Sequence, residues 1–293
     1  MHFNVKEDII QMTPRWTGER FSDGRPRVSD ADLEKLREMT LEECWLMLDK
    51  FGYKNQFEGH LKVLHPEKKL VGRAVTASYL PSRPDMFEVV EEIGHAEGRR
   101  GTHNLWIVDS LTEGDVVVSD MFDKVREGTY VGGNLSTSIR NSTKTGGAVI
   151  WGGIRDLEQI LQIDGIQLYF RGMDPTPIKD FCMNGFNVPV RIGNAVCLPG
   201  DVVMGNGEGV LFIPAHMVRT VIDSAEKSHC KDLFGFEMIR RGIYQTADID
   251  IDYWPKETLD RLMDFINTDP GAAIYKNIDW SEEYEMARKV FGE

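Results

Sequence analysis

Short apolar runs alternate along this chain with segments of helical periodicity, and the pattern predicts a mixed α/β fold. The runs are rich in β-branched and aromatic residues, whereas apolar residues recur every three or four positions in the helical segments. Strands are predicted at residues 70–79, 103–108, 115–119, 148–151, 167–170, 188–192 and 209–213. Helices are predicted at residues 30–37, 85–96, 157–163 and 216–231, and a further helix begins at Thr40.

The two ends of the chain are interpreted as additions to a central domain. Residues 1–34 form the predicted N-terminal arm, residues 35–242 the core and residues 243–293 the C-terminal extension. Both additions contain large aromatic side chains, namely Trp16, Phe21, Trp254, Tyr275 and Trp280. Exposing them on a monomer would cost about 25 cal/mol per Å². We therefore expect the additions to pack on a neighbouring subunit; the alternatives are folding back on their own subunit or a loosely ordered arm.

The start of a predicted helix after residue 131 is a candidate anion site. Gly132, Gly133 and Asn134 form a tight turn, and the helix that follows from Leu135 is rich in serine and threonine. The N–H groups of a helix start have no acceptor within the helix, and the helix dipole adds positive potential there. Such a turn therefore favours a carboxylate or phosphate.

An arginine and an aspartate follow the next predicted strand. Gly152 and Gly153 are expected to turn the chain outward at the end of strand 148–151, where open α/β sheets usually hold their ligands. Arg155 offers a bidentate fork for a carboxylate or enolate, and Asp156 offers an oxygen ligand for Mg²⁺ or Mn²⁺. Turns often contain double glycines and surfaces often contain Arg–Asp pairs, so these residues taken alone fit a structural turn better than a catalytic site.

The wider pattern resembles the family that contains the regulator of RNase E activity A (RraA) and the class II 4-hydroxy-4-methyl-2-oxoglutarate aldolases. Members carry a GGELL-like turn followed by a DGAVRD motif, which here read GGNLS and WGGIRD. Other segments resemble the family in the same order: residues 72–76 (GRAVT), 113–118 (EGDVVV), 170–177 (FRGMDPTP), 199–203 (PGDVV) and 208–214 (EGVLFIP). The resemblance covers about residues 35 to 240 and implies an RraA-like α/β/β/α sandwich with a swivelling, phosphohistidine-domain-like core and helical extensions at both ends.

Three positions depart from the family pattern. Trp151 stands where the family usually has Asp, and Asn134 where Glu or Asp is usual. The aldolases tend to show R-D-x-x-E/D, whereas this chain has Gln159 at the last position and Glu158 one residue earlier. Arg155 and Asp156 are intact, so the resemblance predicts that the core chemistry is retained while the surroundings of the substrate have changed.

The resemblance implies a divalent-metal-dependent lyase, of the aldolase or decarboxylase type, acting on a small 2-oxo acid. Asp156 would hold Mg²⁺ or Mn²⁺, Arg155 would stabilise a pyruvate enolate, and the turn at residues 132–135 would bind the substrate carboxylate. The general base stays open between a metal-bound water and a carboxylate of another subunit such as Asp232 or Glu237. Homotrimers or homohexamers with sites between subunits are implied as well.

Two other functions are compatible with the same residues. The three departures favour a non-catalytic protein-binding regulator like the RNase E regulator of the family. Alternatively, a lyase site would accept a larger or aromatic-derived substrate if the Trp151 indole formed an apolar wall beside it.

Composition and charge indicate which classes of binding partner are expected. The net charge of −13 and the pI near 5.1 disfavour direct binding to nucleic acid. No run approaches the ~20 apolar residues of a membrane span, and the N-terminal MHFNVKEDII lacks a signal-peptide core, so we expect a cytoplasmic protein without a membrane partner. The four cysteines show no CxxC spacing and are expected to be free thiols.

Motifs of other enzyme classes are missing from the sequence. The histidines show no HExxH spacing, and neither a GxSxG elbow nor a Walker motif occurs. The glycines of residues 205–209 alternate without GxGxxG spacing and precede a strand, so they predict a hairpin turn rather than a nucleotide loop. Asp174, Asp201 and Glu208 are further carboxylates, for which a role in turns is the main expectation. Asp120, at the end of the predicted strand 115–119, could approach the candidate metal site from a neighbouring strand.

Overall fold

The computed structural model describes residues 3–292; Met1 and His2, at the start of the predicted arm, and Glu293, at the end of the predicted extension, lie outside the described residues. The described chain forms two compact units, Met1–Thr220 and Val221–Glu293. The predicted domain boundaries at residues 34 and 242 stay a prediction. Among the described residues, no helix combines the length and the apolar character needed to cross a membrane.

The described residues of the first unit form twelve strands. They are β1 (Phe57–Glu58), β2 (Lys62–Val63), β3 (Leu70–Pro81), β4 (Asp115–Asp120), β5 (Thr129–Val131), β6 (Gly147–Ile154), β7 (Gln167–Met173), β8 (Phe181–Phe186), β9 (Val190–Ile192), β10 (Ala195–Cys197), β11 (Val202–Gly205) and β12 (Val210–Ile213). β11 and β12 form the hairpin that the alternating glycines predict, because Asn206 N donates to Gly209 O at its tip (3.1 Å).

Helices precede, separate and follow these strands. They are α1 (Lys6–Met12), α2 (Asp30–Glu38), α3 (Leu41–Lys50), α4 (Pro84–Ala96), α5 (His103–Val108), α6 (Gly133–Thr143), α7 (Leu157–Ile160), α8 (Val218–Arg240), α9 (Thr246–Ile249), α10 (Lys256–Thr268) and α11 (Ser281–Phe291). Local signals explain several starts: Ser29 caps α2, and Thr40 and Glu43 form a reciprocal capping box at α3.

Ten of the strands form one curled mixed sheet in the order β1-β12-β11-β3-β4-β6-β7-β2, with β5 paired to β6 and β8 paired to β3. β3, β4, β6 and β7 are parallel, so their carboxyl ends lie at the same edge of the sheet. β5 extends this edge, because it pairs with the last residues of β6 beyond the end of β4. β9 and β10 form a separate hairpin.

Side chains alternate between two cores on the two faces of the sheet. In β6, for example, Ala148 and Ile150 belong to one apolar cluster, whereas Val149 and Trp151 belong to the other. Residues of α4 to α7 complete the first cluster, and residues of β9 to β12 complete the second. Because α2 packs on β3 and β11 and α3 on β12, the layers are helix, sheet, sheet and helix, as the resemblance implies.

The strand prediction at residues 103–108 is wrong, because this segment is the helix α5. Its apolar run has no period that separates a strand from a helix buried on several sides. Trp106, Ile107 and Val108 are all buried, and the Asn104 side-chain amide donates to the Tyr130 backbone oxygen at 2.8 Å. These contacts with other parts of the core favour the helix over the strand.

The N-terminal arm is attached to its own subunit. Arg25 is almost fully buried and donates to both carboxylate oxygens of Asp115 at 2.7 and 3.4 Å, and also to Asp23 at 2.7 Å. The Arg25 guanidinium also lies 4.7 Å from the centre of the Phe21 ring. The alternative of a loosely ordered arm is therefore wrong for these residues, which fold back on the core.

We predict that Arg25→Lys lowers the free energy of unfolding by about 1–3 kcal/mol, because lysine cannot bridge Asp115 and Asp23 and leaves buried carboxylate oxygens poorly paired. Urea denaturation measures this loss. Arg27→Lys is the matched control in the same arm, since the Arg27–Glu19 pair is largely exposed and contributes little. Equal losses in the two variants would contradict the anchoring role of Arg25.

The second unit buries its own aromatic residues. Trp254, Tyr275 and Trp280 are each at least nine-tenths buried, and they pack in one cluster with residues of α8, α10 and α11. The expected cost of exposing them on a monomer therefore does not arise, and it gives no reason for an oligomer. The helical character expected for the extension is confirmed.

Candidate functional site

Gly152 and Gly153 lie within β6 rather than in a turn after it, so the predicted turn at these two residues is wrong. Added Cβ atoms would lie 2.6 Å from the Met121 Cβ and 2.5 Å from the Val125 backbone oxygen, respectively. The two glycines thus let the loop that follows β4 approach the strand, and β6 continues to Ile154. The outward turn comes at Arg155 and Asp156.

Asp156 has an uncommon backbone conformation. Its φ of 58° and ψ of 37° are left-handed helical, a region in which Asp and Asn are the most tolerated residues after glycine. Arg155 N donates to Val131 O at 3.1 Å, which fixes the chain beside β5, and α7 starts directly after Asp156. Non-glycine residues in the left-handed conformation are found at functional sites more often than elsewhere.

The Asp156 carboxylate lies at the N-terminus of α6. Gly133 N donates to Asp156 Oδ2 at 3.2 Å, and Arg155 Nε lies 3.8 Å from the same oxygen. A Cβ on Gly132 would lie 2.3 Å from Asp156 Oδ2 and 3.2 Å from Arg155 Cγ, so only glycine leaves room here. The structure therefore brings together the predicted residues Gly132, Gly133, Arg155 and Asp156.

Asn134 and Leu135 complete the first turn of α6. Their N–H groups belong to the set that has no acceptor inside a helix. Asn134 is exposed, whereas Leu135 is half-buried and packs on the core. Because the side chains of Arg155 and Asp156 are 41% and 32% exposed, a small molecule can reach them.

Gln159 approaches the same helix start. Its Oε1 would be 2.7 Å from a Cβ on Gly133, and its backbone N donates to Asp156 O at 3.0 Å. A neutral amide thus stands at the position where the family pattern has a carboxylate. Glu158, the nearby acid in the sequence, is exposed.

Trp151 does not form a wall of this site. Its indole belongs to the apolar cluster on the opposite face of the sheet from Ile150 and Ile154, and the Arg171 guanidinium covers it at 4.4 Å. Arg171 Nε in turn donates to Asp123 Oδ1 at 2.8 Å. The interpretation of Trp151 as an apolar wall for an aromatic substrate is therefore wrong.

Asp120 and Asp174 each accept a hydrogen bond from a backbone N–H two residues along the chain, as Asp174 is expected to do in a turn. Asp120 Oδ1 accepts from Phe122 N at 2.9 Å, and burial raises the pKa of Asp120. Asp174 Oδ1 accepts from Thr176 N at 2.9 Å, and these hydrogen bonds lower the pKa of Asp174. All four cysteines are buried free thiols.

The residues present suit a metal ion that takes most of its ligands from water and substrate. Among residues 3–292, no three His, Cys, Asp or Glu side chains gather as a metal site, and Asp156 is the carboxylate that lies at the N-terminus of α6. Mg²⁺ commonly binds one or two carboxylates and takes its remaining oxygens from water and substrate. Asp156, with one oxygen bonded to Gly133 N and a third of its side chain exposed, suits that mode.

The chain belongs to the RraA-like family, since the family's sequence model, described as Aldolase/RraA, matches residues 25–212. It is 26% identical over 132 residues to the "Putative 4-hydroxy-4-methyl-2-oxoglutarate aldolase" of Halalkalibacterium halodurans, a match that covers 44% of this chain and 61% of that protein. An uncharacterized protein of Methanocaldococcus jannaschii, MJ0644, is 25% identical over 133 residues, or 45% of this chain and 64% of that protein. The chain thus spans about three fifths of the length of these curated relatives.

Solved structures show the same fold. Streptomyces coelicolor RraAS2, described as an unusual member of the RNase ES inhibitor RraA protein family, superposes with a TM-score of 0.58 at 21% identity, covering 74% of this chain and 98% of that one. An uncharacterized protein from Pseudomonas syringae pv. tomato gives a TM-score of 0.61 at 19% identity, covering 77% and 100%. The predicted family and fold are confirmed.

Proposed function

We propose that this protein is a divalent-metal-dependent lyase that cleaves a C–C bond of a small 2-oxo acid through a pyruvate enolate. The observation that supports the proposal is the contact of the Asp156 carboxylate with Gly133 N, beside the Arg155 guanidinium. The family match and a relative named as an aldolase support the same class of reaction.

Each side chain has a defined task in the proposed reaction. Asp156 would hold Mg²⁺ or Mn²⁺, and the bound metal supplies Lewis-acid polarisation of the substrate carbonyl. The guanidinium of Arg155 stabilises the negative charge of the enolate, because its planar N–H groups match two oxygen atoms. The N–H groups of Asn134 and Leu135 bind the substrate carboxylate, while that of Gly133 holds Asp156 in place.

Aldol cleavage and decarboxylation share the enolate, so one site serves both reactions. The test is pyruvate release from 4-hydroxy-4-methyl-2-oxoglutarate and from oxaloacetate, with Mg²⁺, with Mn²⁺ and after EDTA. We expect turnover with either metal and its loss on chelation, followed by recovery when metal is added in excess. Turnover that survives complete chelation, or none with either substrate, would contradict the proposal.

A non-catalytic, protein-binding regulator is the second candidate. The Gln159 amide beside Gly133 favours it, since the position lacks the carboxylate of the aldolases. The structural likeness to RraAS2, described within an RNase ES inhibitor family, is compatible with it. Inhibition of an RNase E-type enzyme without any release of pyruvate would support the regulator over the lyase.

We further propose that the working form is a homotrimer or homohexamer in the cytoplasm. This assembly is implied by the family and stays a prediction. Light scattering of the full chain measures it, and a fully active monomer would contradict it.

Arg155→Lys is predicted to lower kcat/KM by about 10²-fold, although the positive charge is kept. Lysine lacks the planar pair of N–H groups and so loses one transition-state contact. Steady-state pyruvate release measures the effect. Arg126→Lys, at an exposed arginine of the loop between β4 and β5, serves as a control that keeps full activity. A change of less than about threefold in Arg155→Lys would remove Arg155 from the site.

A further inference from the structure

A cavity of about 250 Å³ lies between the N-terminal arm and the core, away from the site of Arg155 and Asp156. Its arm side consists of residues after α1, including Met12 and Trp16, which precede the start of the family match at residue 25. The arm therefore adds a cavity to the RraA-like core.

The cavity lies at the opposite edge of the sheet from the proposed catalytic site. Asp201, one of its lining residues, immediately precedes β11, whose first residue pairs with Arg73 of β3. Arg73 in turn pairs with Asp115 at the amino end of β4. Asp156, by contrast, follows the carboxyl end of β6.

Asp201 is a buried carboxylate without a cationic partner. It is 5% exposed, and its Oδ2 accepts from Leu198 N at 2.8 Å. Among the described residues it forms no ion pair with Lys, Arg or His. Burial raises the pKa of Asp201 to about 7, against the opposing effect of hydrogen bonds from Leu198 N and Ala215 N. A buried carboxylate in this state is stabilised by any positive charge that enters the cavity.

Three other polar side chains of the cavity form a hydrogen-bonded chain. Arg15 Nη1 donates to the Tyr53 hydroxyl oxygen at 3.2 Å, and that hydroxyl lies 2.9 Å from His216 Nε2. Burial, and secondarily Arg15, lower the pKa of His216. Arg15 itself is exposed, where solvent and salt screen its charge.

We propose that this cavity binds a small organic amine in its protonated form, with the ammonium group on Asp201 and an apolar body against Met12, Trp16 and Leu198. The volume lies below the roughly 300–1,000 Å³ of sites for drug-sized ligands, so the ligand is small. The ammonium provides the charge that Asp201 lacks, and the apolar walls gain from excluding water.

The test compares two probes of the same shape on the full chain at about pH 8. 3-Methylbutylamine is cationic there, because alkylamines resemble lysine with a pKa near 10.4, whereas 3-methylbutan-1-ol is neutral. We expect the amine, but not the alcohol, to raise the melting temperature in proportion to its concentration and to give a saturating calorimetric titration. Equal binding of the two probes, or no saturation below about 10 mM amine, would overturn the proposal.

Substitutions of cavity residues test whether the amine binds in this cavity. Asp201→Asn removes the charge, and Met12→Trp fills the cavity while keeping the carboxylate; each should weaken amine binding by about tenfold or more. Met12→Trp is decisive if Asp201→Asn fails to fold, since the amide keeps only one of the two acceptor oxygens. Asp120→Asn is the matched control, a half-buried acid at the other edge of the sheet, and should keep the wild-type affinity. Wild-type binding in Met12→Trp would overturn the assignment whether or not the protein releases pyruvate.

Discussion

Replacing Asp156 with Asn is expected to reduce pyruvate release by about a thousandfold or more while the fold is kept. A neutral amide binds Mg²⁺ poorly, and among the described residues Asp156 belongs to no cluster of three or more His, Cys, Asp or Glu side chains. Asn is the informative substitution because it tolerates the left-handed conformation of residue 156, whereas Ala would add backbone strain. The loss of activity then reports on charge rather than on folding.

The control for this variant is Glu158→Gln, which removes an exposed carboxylate two positions along the chain. It should retain activity within about twofold and require no more metal than the wild-type protein. For Asp156→Asn, the concentration of Mn²⁺ needed for residual activity should rise, and the melting temperature without metal should stay close to that of the wild type. Undiminished turnover in Asp156→Asn would end the assignment of Asp156 as the metal ligand.

Most of the sheet could be predicted from the sequence because its strands have local signals. β3, β4, β6 and β7 are short apolar or alternating runs, and the predicted residues fall within the observed bounds. β8 was not predicted, since its sequence FCMNGF has no regular alternation. It is a strand because it pairs with the far half of β3 across more than a hundred residues of chain, a contact that no local pattern encodes.

In the candidate site, too, the residues could be predicted from the sequence but their spatial arrangement could not. The glycine turn, Arg155 and Asp156 could be found from residue types and from the family resemblance. Their arrangement could not, because the Gly133 N to Asp156 Oδ2 contact depends on how α6 and the end of β6 meet in space. Gly152 and Gly153 were assigned to a turn for the related reason that the loop pressing on them lies about thirty residues away.

The aromatic residues of the chain ends illustrate the limit of composition. Their number indicated burial, and burial is what the second unit shows. Composition does not reveal whether the covering surface belongs to the same chain, and here Trp254 and Trp280 are covered by their own helices. The proposal of an oligomer therefore rests on the family alone. The N-terminal arm packs on its own core and lines a cavity there.

Gly132→Ala is expected to reduce activity nearly as far as Asp156→Asn, within about tenfold, although it adds only one methyl group. The new Cβ would lie 2.3 Å from Asp156 Oδ2, so the proposed metal ligand must move, whereas Arg155 Cγ at 3.2 Å needs only a small adjustment. The backbone of Gly132, with φ of −131° and ψ of −161°, is accessible to alanine, and the displaced groups are side-chain atoms of partly exposed residues. The free energy of unfolding should therefore change by less than about 1 kcal/mol.

Gly271→Ala is the matched control, since the nearest atom to its added Cβ is 3.2 Å away and it lies in the second unit. Steady-state pyruvate release and urea denaturation of both variants separate the two explanations for lost activity. A large fall in kcat with unchanged stability would show that the glycine keeps room for Asp156 and Arg155. If Gly132→Ala retained wild-type activity, the carboxylate could not occupy its observed position during turnover, and the contact with Gly133 N would have no role in the reaction.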